Sequence, residues 1–286
     1  MAIPSAPARI RLRSLPAAAG LFWIRRGFRT FWRRPLGFFG LYLLVVAMLS
    51  VAVIVSPLAP LVMILLLPML SLGFMSATED VLNDQPLRPS VFWAPLMITP
   101  PARRALLAIG LIYVVASVGL ALLANVLDGG EAERWMGTLM TPRADGKMPE
   151  VPPLSALGVA VLLFKMFGVA LVSIPLWHAP ALVHWGRQGV AQAMFSSVVA
   201  IWRTRAALAV FGLGWFALSF ALASVLGVLE LVLGSSTILL GFAVLMSWAL
   251  SALFYVTLWF GFVDTFEITS PVAFRTVLAD NEPPAA

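Results

Sequence analysis

Apolar residues run through this chain in six long blocks, each near the ~20 residues that a helix needs to cross a bilayer. The blocks cover residues 36–55, 58–77, 105–127, 154–177, 206–229 and 237–262. The pattern predicts an all-α polytopic membrane protein, with six transmembrane helices arranged as three helical hairpins. Only Ser56-Pro57 separates the first two blocks, so they are expected to form a tight hairpin. Pro68 and Pro175 fall inside blocks and are expected to kink them, with neighbouring helices satisfying the freed carbonyls. The membrane domain then covers residues 20–265. It is flanked by a basic tail at 1–19, expected to be disordered, and by a C-terminal tail at 266–286.

Between the blocks the period changes. Leu21, Ile24, Phe28, Phe31 and Trp32 share one face of a helix, while Arg25, Arg26, Arg29 and Arg33 fall largely on the other. That is the pattern of an interfacial amphipathic helix over residues 20–34, its aromatic side in the headgroup boundary. The four arginines are candidate contacts for the headgroups of anionic phospholipids. Pro35 is expected to mark the bend into the first span, because proline is tolerated at a helix start and disfavoured inside. A second such helix has Val190, Met194, Val198, Ile201 and Trp202 on one face. The segment before the third span carries five prolines and reads as a folded-back loop.

The pattern Arg-x-x-Leu-x-x-x-Gly-Leu starts at Arg33, recurs at Arg103 and again at Arg205, and opens spans one, three and five. It suggests a hairpin unit used three times. Ser219, Ala223 and Gly227 in span five, and Ala243, Ser247 and Ser251 in span six, form small-residue ladders of the kind that let helices approach closely in lipid.

Charge fixes the expected orientation. The chain is 61% hydrophobic and only 11% charged, against about 25% charged in a soluble domain. Of its 19 Lys and Arg, fifteen lie in the N-terminal stretch, in the connections after spans two and four, and in the C-terminal tail. Three lie in the alternate connections: Arg134, Arg143 and Lys147. The positive-inside rule therefore puts both termini in the cytoplasm and the acidic 128–150 loop outside. The N-terminus is not expected to be a cleaved signal peptide, since arginines stand where a small-residue cleavage site would fall. Nucleic-acid binding is excluded as a reading of the basic balance, because the aromatic face of the arginine helix is needed by the lipid.

The stretches LSLGFMSATEDVL (70–82), SIPLWHAPALVHWGRQGVAQAMFSS (173–197) and RRGFRTFWRRPL resemble a family of bacterial inner-membrane proteins, the BPSS-type membrane protein family. The resemblance covers residues 20–265, and its most specific part is Trp-His-Ala-Pro-Ala-Leu-Val. It implies an inner (plasma) membrane location and carries over no activity and no catalytic residues.

Candidate chemistry is sparse. There is no cysteine, so disulfides, thiolate metal sites and cysteine catalysis are excluded. His178 and His184 are six apart, which does not bring two imidazoles to one helical face; with Trp177 and Trp185 they read as an interface belt. No metal site and no cofactor is expected. Glu79, Asp80 and Asp84 cluster after span two and read as a solvated loop pairing with nearby arginines. No Walker loop, dinucleotide fingerprint or nucleophile elbow is present, and no catalytic residue is assigned. Lys165 stands alone deep in span four. In that register it is expected to face the bundle interior with water or backbone carbonyls as partners, as a candidate binding residue for an anionic group; the alternative is a shifted register, with the span beginning near Met166 and Lys165 at the outer surface. Three functions remain open: a non-enzymatic protein acting through lipid or protein contacts, its partners the bilayer and a membrane protein or a second copy; a small transporter or permease accessory with a site at Lys165; and a lipid-modifying enzyme built on the Glu79–Asp84 loop.

Overall fold

The computed structural model describes residues 9–97, 99–140, 153–234 and 236–269. The expectations for the tails at 1–8 and 270–286, and for residues 141–152 of the acidic loop, lie outside the described residues. In chain order the elements are β1 (Arg9–Leu12), α1 (Ala19–Arg33), α2 (Pro35–Val55) and α3 (Ala59–Leu82), then a 3-10 turn (Pro89–Phe92). Next come α4 (Ala94–Met97), α5 (Pro100–Asp128), α6 (Glu131–Met140), α7 (Ala156–Leu176) and α8 (Ala179–His184). The chain continues with α9 (Val190–Arg203), α10 (Arg205–Leu233), α11 (Thr237–Thr265) and β2 (Phe266–Thr269).

Six of these helices, α2, α3, α5, α7 with α8, α10 and α11, are long and apolar enough to cross a membrane. Local chemistry sets several of their starts. Thr99, Ser155 and Ser236 accept backbone N–H bonds with their side chains at the N-termini of α5, α7 and α11, satisfying donors that the first turn leaves free. Gly129, in the left-handed region at φ 61, ends α5. Helix α3 runs past the apolar block at 58–77 and carries Ser76, Glu79 and Asp80 on its last turns.

The buried core gathers at one end of the bundle, the end that bears the arginines. It takes in Met69, Leu72, Phe74, Met75, Ala77 and Val81 of α3, Leu106 and Ile109 of α5, Ala207, Phe211 and Trp215 of α10, and the last turns of α11. Aromatic rings join these helices: Phe74 stacks on Tyr255 at 5.1 Å and Trp185 meets Trp259 at 5.0 Å. Toward the other end the helices show apolar side chains outward, as at Leu231, Ile238 and Leu240. That exposure suits a lipid solvent, which offers no hydrophobic penalty.

Strands β1 and β2 pair antiparallel, with Arg9 opposite Thr269 and Leu12 opposite Phe266. The two ends of the membrane domain therefore lie on the same face. Residues 9–12, expected within a disordered tail, are corrected to a strand. It is held by its ladder to β2, by the buried Phe266, and by an ion pair of Arg13 with Glu267 at 3.7 Å.

The arginine helix is also corrected. Helix α1 ends at Arg33 and α2 begins at Pro35, so the chain breaks at Arg34 as the proline predicts. Its apolar face, however, meets protein. Trp23, Ile24, Gly27, Thr30 and Phe31 are buried, and the helix packs against α10 and α11. Leu21, Phe22 and Trp32 stay exposed beside Arg25, Arg29 and Arg33.

Close helix contacts fall elsewhere than the small-residue ladders. Ala223 and Gly227 are exposed, and Gly227 has nothing within 4 Å of its Cβ position; Ser219 borders an open cavity shared with Tyr42 and Ser251. A Cβ on Gly20 would lie 2.2 Å from the Ala207 carbonyl oxygen, one on Gly27 2.2 Å from Thr257 Cγ2, and one on Gly110 2.2 Å from the Leu65 carbonyl oxygen. The principal neighbours of α11 are α1, α3 and α2, and it touches α10 less.

Candidate functional site

Asn83 and Asp84 end α3 in a sharp reversal. Asp84 sits at φ 55, a left-handed conformation that aspartate tolerates better than most side chains. The N–H of Gln85 donates to the Asp80 carbonyl at 2.7 Å, and the chain turns back along the helix through Pro86 and Arg88 to the 3-10 turn. Between α3 and this returning segment lies a polar pocket of about 380 Å³. Ser76, Glu79 and Asp80 line it from α3, Arg88 and Ser90 from the returning segment, and His184 from the end of α8. Asp84 forms the turn and is not among the lining residues.

Glu79 and Asp80 are adjacent in sequence and both face the pocket, where the Arg88 guanidinium acts on Asp80 across it. The Trp185 indole is in hydrogen-bonding reach of Glu79. His184 Nδ1 is buried without a hydrogen-bond partner. In the sequence the Glu79–Asp84 cluster reads as a solvated loop and the histidines as a separate interface belt. The fold brings Glu79 and His184 together across more than a hundred residues, and no local spacing signals that. Among the described residues no group of three His, Cys, Asp or Glu could hold a metal ion.

His178 does not belong to an interface belt. It is 3% exposed, with its ring edge-on to Phe266 at 5.2 Å. Its N–H donates to Ser197 Oγ at 3.1 Å, and that hydroxyl donates to the Ile174 carbonyl at 2.9 Å. Ser197 of α9 thus satisfies the backbone where α7 gives way to α8, just after Pro175. Residues His178 to Val183 are all buried. The stretch that carries the family resemblance is therefore a core element.

Arg26, one of the four candidate lipid contacts, is turned inward. Its Nη1 reaches both oxygens of Asp264, at 3.0 and 3.1 Å, and Trp23 Nε1 donates to the same carboxylate at 2.9 Å. Arg25, Arg29 and Arg33 remain exposed.

Lys165 has a partner the sequence did not offer. Its Nζ donates to Glu133 Oε2 at 3.2 Å. Glu133 comes from α6, a helix within the stretch expected to be an acidic loop. The lysine's long side chain can reach a carboxylate at the membrane surface from a backbone position further in. Helix α6 is also fixed at Glu131, which accepts from both the hydroxyl and the N–H of Ser155. These two Ser155 bonds, the side-chain one first, hold the Glu131 carboxyl below its ordinary value of 4.5. A depressed pKa contributes stability that is present above the unfolded value and lost as pH falls through the folded one. Amide protection at residues 155–158 is therefore expected to hold above about pH 4.5 and to fall below it. In Glu131→Gln it should be low throughout. Hydrogen exchange followed across pH checks both.

No protein-family model and no solved structure matches the chain. It is 28% identical over 268 residues to a probable inner membrane protein of Burkholderia thailandensis, covering 92% of this chain and 97% of that protein. With six helices long and apolar enough to cross a membrane, the chain is a multi-pass inner-membrane protein.

Proposed function

We propose that this protein acts without catalysis, through contacts with phospholipid headgroups at its arginine-rich face, and that this face and both termini are cytoplasmic. The observation that carries the reading is the polar pocket at the end of α3, placed on the same face as the exposed Arg25, Arg29 and Arg33. The exposed side of α1 alternates those arginines with Leu21, Phe22 and Trp32. That is a surface suited to the boundary between acyl chains and phosphates. A buried core concentrated at this end supports a rigid platform for such contacts.

The Lys165–Glu133 pair favours a structural clamp over a substrate site. It ties α7 to the connection beyond α5 and neutralises a cation inside a span.

The test is to extract the protein with its surrounding lipid and identify what remains bound. Enrichment of specific phospholipids over the bulk membrane is expected. In the triple variant Arg25→Glu, Arg29→Glu, Arg33→Glu, retention of anionic phospholipid should weaken by about 1 kcal/mol per arginine replaced. Arg26→Glu should instead lower stability, because its guanidinium is committed to Asp264. A bound-lipid profile identical to the bulk membrane would overturn the reading.

A further inference from the structure

We infer that the pocket beside Glu79 is a binding site for a primary ammonium joined to a phosphate, the chemistry of an ethanolamine phospholipid headgroup. The inference rests on the lipid-contact reading and adds to it a ligand class and the residues that select it.

Charge is the first ground. Glu79 and Asp80 put two carboxylates in the pocket against one guanidinium, Arg88. A cation is wanted beside the acids, and an anion can be received beside the arginine. A zwitterion supplies both at once and brings no net charge into the site.

Donor and acceptor counting is the second. A primary ammonium has three N–H donors and no acceptor. The pocket offers acceptors for all three on the oxygens of the Glu79 and Asp80 carboxylates, which line it side by side. The Arg88 guanidinium and the Ser90 hydroxyl are placed to donate to phosphate oxygens from the opposite wall.

Size and setting are the third. A volume of about 380 Å³ exceeds what a bare ion needs and falls in the range of small-ligand sites. Val91, Ala94 and Pro95 form an apolar side to the pocket, where the lipid's glycerol and chains can leave. The described residues offer no three-ligand set for a metal at this place.

Methylation tests the site, because a choline headgroup keeps the charge and the phosphate but has no N–H to donate. The purified protein is titrated with phosphatidylethanolamine, phosphatidylcholine and phosphatidylglycerol of identical acyl chains, and bound lipid is counted by native mass spectrometry. Phosphatidylethanolamine is expected to bind at least tenfold more tightly than phosphatidylcholine. Glu79→Gln with Asp80→Asn should abolish that preference while phosphatidylglycerol retention on the arginine helix stays unchanged. Arg88→Gln, at the exposed rim, gives a second variant with less bearing on folding, and it should weaken phosphatidylethanolamine several-fold. Soluble glycerophosphoethanolamine separates the sources: competition at equal affinity supports the site and makes its ligand a soluble one, whereas weak competition assigns it to the lipid. Equal binding of ethanolamine and choline lipids, with anionic lipid still held, overturns this inference and leaves the lipid-contact reading standing. Retention of none of the three lipids overturns both.

Discussion

Replacing Gly20 by alanine is expected to loosen the N-terminal helix from the bundle and to lower stability by about 3 kcal/mol, at the upper end of overpacking costs. The new methyl would sit 2.2 Å from the Ala207 carbonyl oxygen and 2.5 Å from the Phe211 backbone nitrogen. Those are main-chain atoms of α10 and cannot swing aside as a side chain would. Helix α1 must then move outward, taking with it Trp23, which is 1% exposed and packs edge-on against Phe211. Gly212→Ala in α10 is the matched control. Nothing lies within 4 Å of its Cβ position, so it should be neutral or stabilise by up to about 1 kcal/mol through helix propensity. Thermal unfolding of the detergent-solubilised variants makes the comparison. Equal midpoints would show that α1 is not docked as described.

Asp264→Ala is the second large effect. One carboxylate accepts from both Arg26 and Trp23, so its removal takes a shared acceptor from a guanidinium and an indole N–H together. The side chains of Arg26 and Asp264 keep 24% and 19% of their surface exposed, so water screens part of the charge. The cost should therefore fall below the ~3–5 kcal/mol of a fully buried broken pair, at about 2 kcal/mol. Arg26→Ala in the Asp264→Ala background should cost far less than Arg26→Ala alone, because the partner is already gone. Additive effects in a double-mutant cycle would show that the pair carries no coupling.

These two sites mark where the sequence is readable and where it is not. Apolar block length locates the membrane-crossing helices, and Pro35 locates the break before the first of them. Periodicity cannot say what covers an apolar stripe. Ile24 and Phe31 face protein while Leu21 and Trp32 on the same helix face outward, and a 3.6-residue period reads alike in either case. The missed signal is Gly20 and Gly27 on that stripe, small residues spaced for close helix approach. Asp264 is a second missed signal, a lone carboxylate at the end of the last span on the arginine-rich face. The pocket is half legible: the acidic pair at Glu79 and Asp80 stands out, but His184 joins it only through the packing of α8 against α3 and α5. The Lys165 partner is hidden because Glu133 falls in a stretch that reads as a loop. Strands of four residues, such as β1 and β2, carry too little pattern to be seen before their partner is known.

The proposed function places the arginine-rich face, and the pocket with it, on the cytoplasmic side of the membrane. The chain has no native cysteine, so single-cysteine variants report side directly. Asn83→Cys lies in the turn beside the pocket, and Gly137→Cys lies on α6 with nothing within 4 Å of its Cβ position. In intact spheroplasts an impermeant maleimide is expected to label Gly137→Cys and to leave Asn83→Cys unlabelled until the membrane is opened. Labelling of Asn83→Cys in intact spheroplasts, with Gly137→Cys protected, would contradict the cytoplasmic placement of the pocket and of the arginine helix together.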